Sequence, residues 1–207
     1  MTKQTHFTDH FPRGRIDALT DGIFAVAMTL LVLDIRLPEG LHPLNATDLW
    51  RGLHELWPRL VAYALSFLIL GLRWLSLAQV PTHAEHVGAA YIRWWMFYLM
   101  MITLIPFTTT LVGSHASLAP ATWLYCGNTA LIAIAAWRMA QLMPGIEDAS
   151  HIRQRQVSML VLLASALVCA AWSFADARTA LLAFSLNIAA PLISRVSERH
   201  RAAQPPP

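Results

Sequence analysis

Charge is scarce in this sequence. Asp, Glu, Lys and Arg make up 13% of its 207 residues, and 56% are hydrophobic. That is about half the charge usual in a soluble domain. A soluble protein of this size could not hide so much apolar surface, so a water-soluble globular fold is excluded. Cysteine is scarcer still. The two present, Cys126 and Cys169, both lie inside apolar blocks, where they read as small hydrophobes and imply no disulfide framework. No Gly-rich phosphate loop, nucleophile elbow or zinc-protease helix is present. The chain is therefore expected not to be an enzyme and to carry no cofactor. His83 and His86 flank Glu85 in a polar loop with no cysteine nearby, and they read as surface residues rather than metal ligands.

The net charge of +3 and the pI of about 9.2 raise the question of nucleic acid. The basic residues, however, are scattered at the ends of apolar blocks, which fits membrane flanks and not a phosphate-binding face. Nucleic acid is excluded as an expected partner, and the lipid bilayer takes its place. The first apolar block follows Lys3, Arg13 and Arg15, contains Asp17 and Asp21, and lacks a small-residue cleavage site. It reads as a retained span and not a removed signal peptide.

What the sequence does have is long apolar blocks, several near the roughly 20 residues that cross a hydrocarbon core about 30 Å thick. The first covers about residues 16–37 and ends at Pro38-Glu39-Gly40, a cluster a helix does not readily enter. A polar segment with Asn45-Ala46-Thr47-Asp48 follows, in which Thr47 or Asp48 is expected to cap a second helix over about 53–79, closed by Pro81. The third block, about 89–112, opens with Arg93-Trp94-Trp95 and contains Pro106, an expected kink. The fourth, about 121–143, stops at Pro144-Gly145. The fifth and sixth, about 157–175 and 179–196, are joined around Asp176 and Arg178 as a tight antiparallel hairpin. The expected architecture is all-α and polytopic: one six-helix transmembrane domain over residues 1–200 and a short disordered tail at 201–207.

Arginine distribution gives the orientation. Lys3, Arg13, Arg15, Arg73, Arg93, Arg138, Arg153, Arg155, Arg195, Arg199 and Arg201 fall on or near the N-terminal side, against Arg36, Arg51, Arg59 and Arg178 on the other. Both termini are expected to be cytoplasmic, with the chain multi-pass in the cell membrane.

Ionisable residues inside apolar spans are costly and mark candidate sites. Asp21 lies about one and a half turns into the first helix, too deep for a simple cap, and Arg73 lies at similar depth in the second. Pairing Asp21 with Arg73 or Arg15 removes the cost of lone buried charges. Such a network of Arg15, Asp21 and Arg73 either locks helices together or passes ions or protons. The helical period puts Leu19, Gly22, Val26, Thr29, Leu30 and Leu33 on one stripe, with Asp17, Asp21, Met28 and Ile35 on the opposite side. The stripe is either a packing face or the wall of a hydrophobic constriction.

The run from Arg15 to Ile35 resembles the first-helix signature of the bacterial members of the transmembrane protein 175 family, the lysosomal-type potassium channels: Arg, three residues, then Phe-Ser-Asp. Arg15 and Asp21 match, while Leu19 replaces the Phe and Thr20 the Ser. The likeness continues through Ser66-Phe67-Leu68-Ile69-Leu70-Gly71-Leu72-Arg73-Trp74 and Leu104-Ile105-Pro106-Phe107-Thr108-Thr109. In many relatives a His-His pair follows the Trp of the second span. Leu77 and Ala78 stand there in this chain, so no role of those histidines carries over. The resemblance implies a potassium-selective cation channel without the Thr-Val-Gly-Tyr-Gly filter, assembled as a homotetramer with the first helix lining the pore. Its permeant ions are K+ and other monovalent cations. The constriction then falls on Val26, with Thr29 or Leu30 and Leu33 as further layers. The rival readings are a secondary transporter or proton pathway using Asp21 and Arg73, which lacks the expected inverted repeats, and a non-conducting scaffold. The orientation is open to test: cysteine-accessibility labelling should find the region near Arg199 cytoplasmic and the loop near Asn45 external.

Overall fold

The computed structural model of the chain describes residues 10–37, 44–78, 86–115, 117–143 and 149–173. Seven α-helices dominate these residues: α1 (Arg13–Leu30), α2 (Ala46–Glu55), α3 (Trp57–Ala78), α4 (Ala89–Thr103), α5 (Ile105–Ser114), α6 (Ala119–Leu142) and α7 (Ala149–Trp172). A short 3-10 turn, Leu31–Asp34, extends α1. Two three-residue strands, β1 (His10–Pro12) and β2 (His86–Gly88), pair antiparallel with Phe11 opposite Val87. This ladder sets the starts of α1 and α4 side by side, so α3 runs back between two helices that leave from the same end.

Three segments are long and apolar enough to cross a membrane: Arg13–Asp34, Trp57–Ala78 and Ala89–Ser114. They correspond to the first three expected spans. Helices α6 and α7 fall at the fourth and fifth expected blocks but are not among these three. The sixth, together with Pro144-Gly145, His83 and the tail, lies outside the described residues.

Proline breaks the helices at two places, one of them the kink expected at Pro106. The second span was expected to begin at about residue 53, capped by Thr47 or Asp48. Instead the cap is Asn45, whose side chain accepts the Asp48 N–H at 2.8 Å, and it starts a separate helix, α2. Pro58 has no N–H to offer the His54 carbonyl, so the helix breaks and restarts after Leu56. Pro106 likewise cannot bond the Ile102 carbonyl, and α4 gives way to α5 at Leu104. There the Leu104 N–H bonds the Met101 carbonyl at 3.3 Å, and the buried Asn128 of α6 donates its Nδ2 to that same carbonyl at 3.1 Å. A side chain from a neighbouring helix thus supports the broken backbone. α7 starts about eight residues before the expected fifth span, because its polar first turns need no hydrocarbon around them.

The helices meet in two apolar clusters. One joins Phe24, Ala27 and Leu31 to Tyr98, Ile102, Ala135 and Met139. The other joins Leu65, Ile69, Val112, Tyr125 and Cys126 to Leu162 and Cys169. Both cysteines are buried and free. Apolar burial alone gives little reason for helices to associate in lipid, so close approach and interhelical hydrogen bonds matter more, at about 0.6–2 kcal/mol per bond. Both are present. Ser66 Oγ of α3 lies 3.0 Å from Tyr125 OH of α6 and 2.8 Å from Thr109 Oγ1 of α5. Gly113 of α5 approaches α3 so closely that a Cβ there would stand 3.3 Å from Arg59 Cα and 3.5 Å from Ala62 Cβ.

Gly113→Val should therefore lower the thermal midpoint, by the equivalent of about 1–3 kcal/mol of overpacking. Gly127→Ala, where a Cβ meets nothing within 4 Å, should hold stability or raise it by up to about 1 kcal/mol through helix propensity. Thermal unfolding in detergent compares the two.

Candidate functional site

The face that α1 buries is set by Ile16, Thr20, Phe24 and Ala27, and Leu31 continues it in the 3-10 turn. Their spacing of three and four residues is one stripe of a helix. Phe24 is 1% exposed and its ring packs on Tyr98, centroids 6.3 Å apart. This buried stripe is not the side of Asp17, Asp21, Met28 and Ile35 that the helical period sets opposite Val26. Asp17 and Asp21 are exposed, and Met28 lies half-buried at the core's margin against Gly71. The recurrence of Thr20, Phe24 and Ala27 was the signal available.

Two indole N–H groups dock this face. Trp95 Nε1 of α4 donates to Thr20 Oγ1 at 2.8 Å, while that hydroxyl donates to the Ile16 carbonyl, also at 2.8 Å. Thr20 stands where the resemblance has Ser, and it keeps the hydroxyl acceptor that this bond needs. Trp74 Nε1 of α3 donates to Asp21 Oδ1 at 2.8 Å. The bond from Asp21 thus reaches the residue after Arg73, the partner expected from sequence. Arg73 itself is buried in α3, while Arg15 is exposed. At the base of α1, Arg13 Nε lies 3.3 Å from Asp17 Oδ2.

Away from this docked face, Leu19, Gly22, Val26, Thr29, Leu30 and Leu33 are all exposed in the single chain. Val26 is 57% and Leu33 56% exposed. Among the described residues this apolar stripe is left exposed and outside both buried clusters. Thr29 is its one hydroxyl. Its proton is directed to the backbone, with the Val26 carbonyl at 2.8 Å and that of Ala25 at 3.0 Å. With its proton used in this way, the hydroxyl retains accepting capacity and has no proton to donate elsewhere. Among the described residues no group of three or more His, Cys, Asp or Glu side chains gathers to hold a metal ion.

Comparison with known proteins converges on one family. Residues 15–106 match the family model of the endosomal/lysosomal potassium channel TMEM175. A curated potassium channel of Streptomyces collinus is 35% identical over 102 residues, 49% of this chain and 48% of its own length. One of Chamaesiphon minutus is 34% identical over 125 residues, 58% of this chain and 61% of its own. The chain thus spans about half the length of the curated relatives it matches. Among solved structures, a lysosomal potassium-selective channel TMEM175 homologue from Chamaesiphon minutus superposes with a TM-score of 0.68 at 28% identity, covering 87% of this chain and 97% of that one.

The docking bonds can be tested directly. Trp74→Phe removes the donor to Asp21 and should lower stability by about 1 kcal/mol, less than is usual for a bond to a charged group because Asp21 is exposed in the chain. Trp95→Phe, at a buried donor, should cost more. Thermal midpoints of the two variants should rank in that order.

Proposed function

We propose that this chain, which belongs to the TMEM175 family through residues 15–106, is a potassium-selective cation channel whose pore is lined by α1 in a homotetramer. The observation that carries this reading is the uncovered apolar stripe of α1. The docked face spends its hydrogen bonds and aromatic packing within the chain, and the opposite face offers Val26, Leu30 and Leu33 with the single hydroxyl of Thr29. One helix per chain cannot enclose a pathway, whereas copies related by a closed rotation can. In this reading the aliphatic rings form a poorly wetted constriction that gates by excluding water, and Thr29 offers a ring of oxygen acceptors to a partly dehydrated ion. The wider arrangement is six spans with both termini cytoplasmic, and Arg15, Asp21 and Arg73 act as a structural network at the cytoplasmic end. A transporter or proton pathway through Asp21 and Arg73 is less well supported, because Asp21 is bonded to an indole and Arg73 is buried in the bundle.

Potassium flux from loaded liposomes tests the assignment. Val26→Ala or Val26→Asn should raise cation flux and weaken preference for potassium over sodium, since a wider or wetter constriction lowers the barrier. Thr29→Ala should alter preference through the lost oxygen ligand. Met28→Ala, against Gly71 at the core's margin, should change stability and leave preference unaltered. If Met28 changes moved selectivity while changes at Val26, Thr29 and Leu33 did nothing, the stripe would not line a pore.

A further inference from the structure

Helix α2 has a face that its own chain leaves uncovered. Placed on a helical period, Leu49, Trp50 and Leu53 share one arc with Trp57 at the start of α3, while Thr47, Arg51, His54 and Glu55 take the other. Trp50 is 71% and Trp57 64% exposed, and Leu49 and Leu53 are 40% exposed each. Only Gly52 of α2 is buried. At ten residues the helix is about 15 Å long, too short to span.

Its level in the molecule is set from both sides. α1 ends with its 3-10 turn at Asp34, and α3 begins at Trp57, separated from the end of α2 by Leu56 alone. Arg59 Nη1 donates to the Arg36 carbonyl at 3.1 Å, which ties the exit of the first span to the entrance of the second. Leu56, which is buried, alone separates α2 from α3, so the exposed arc of α2 lies beside the exposed Trp57 at the start of a helix long and apolar enough to cross a membrane. The indoles of Trp50 and Trp57 differ from those bonded within the chain. Trp74, Trp95 and Trp123 each donate their N–H to a protein side chain. Among the described residues, Trp50 and Trp57 have no such partner.

We propose that α2 is an in-plane anchor whose Leu49, Trp50, Leu53 and Trp57 seat in the headgroup–acyl boundary of the phospholipid bilayer. An apolar arc with two amphipathic indoles suits that zone, since the ring bodies sit among acyl carbons and the N–H groups reach lipid carbonyls, phosphates or water. Arg36, Arg51 and Arg59 supply positive charge for the phosphates. A partner protein would have to supply acceptors for both indoles, which the lipid surface offers everywhere. The anchor holds the α1–α3 connection at the bilayer surface, at the end of α1 where Leu33 and Asp34 lie.

The inference rests on α1 and α3 spanning a membrane and not on conduction. Nitroxide labels at Leu53→Cys and Glu55→Cys, both exposed positions, read the immersion of each face by electron paramagnetic resonance. The chain is reconstituted in vesicles of phosphatidylcholine with phosphatidylglycerol, and the unsubstituted chain, with Cys126 and Cys169 buried, is the labelling blank. Elution in detergent checks that the labelled chains keep the parent fold. The expected result is that oxygen relaxes the label at position 53 several-fold more than a water-soluble nickel chelate does, with the order reversed at position 55. Equal access of the chelate to both positions would overturn the proposal. Shielding of position 53 from both relaxers with dipolar broadening would also overturn it, by placing a second copy of the chain over the face. Loss of potassium flux with the immersion pattern intact would count against the channel reading alone.

Discussion

Two indole hydrogen bonds fix the rotation of α1, and the rest of the site follows from that rotation. Between helices in lipid, apolar contact discriminates weakly, because a leucine against an acyl chain is nearly as well placed as a leucine against another leucine. Directional bonds discriminate strongly. Trp95 on Thr20 and Trp74 on Asp21 come from two different helices, and satisfying both turns Ile16, Phe24, Ala27 and Leu31 inward. The aliphatic stripe through Val26 and Leu33 is then turned out of the bundle.

Most of the remaining buried polar side chains obey the same constraint, Thr122 Oγ1 and Asn128 Oδ1 being exceptions among the described residues. Backbone or hydroxyl groups at membrane depth must find partners within the protein. The break at Pro106 disturbs the carbonyls around it, and Asn128 reaches across from α6 to the Met101 carbonyl. Thr108, Thr109 and Thr110 bond back to carbonyls of their own helix, and Thr109 also meets Ser66 beside Tyr125. A kink that weakens one helix is therefore tied into contacts among α3, α5 and α6. Close approach at Gly113 brings the same helices together.

Much of the layout was legible in residue order. Apolar block length marks the first three spans, and Pro106 marks the break in the third. The separation of α2 from α3 was legible too, in Pro58, yet the apolar run from Leu53 onward masked it. Asn45 outcompetes Thr47 and Asp48 as the cap because its side chain stands three residues before the N–H it accepts, a distinction of local geometry that composition does not express.

Composition and periodicity determined that this chain lives in a bilayer, that its helices are punctuated by proline, and that its first helix carries a continuous aliphatic stripe with one hydroxyl. Those are properties of sequence order and of hydrocarbon as a solvent. Tertiary structure decided which side of that helix is covered, that Asp21 bonds Trp74 one residue past Arg73, and that Trp50 of α2 and Trp57 of α3 have no side-chain partner among the described residues. A helical wheel assigns angles relative to one another but has no origin. The origin is set only when donors on α3 and α4 meet acceptors on α1 in three dimensions.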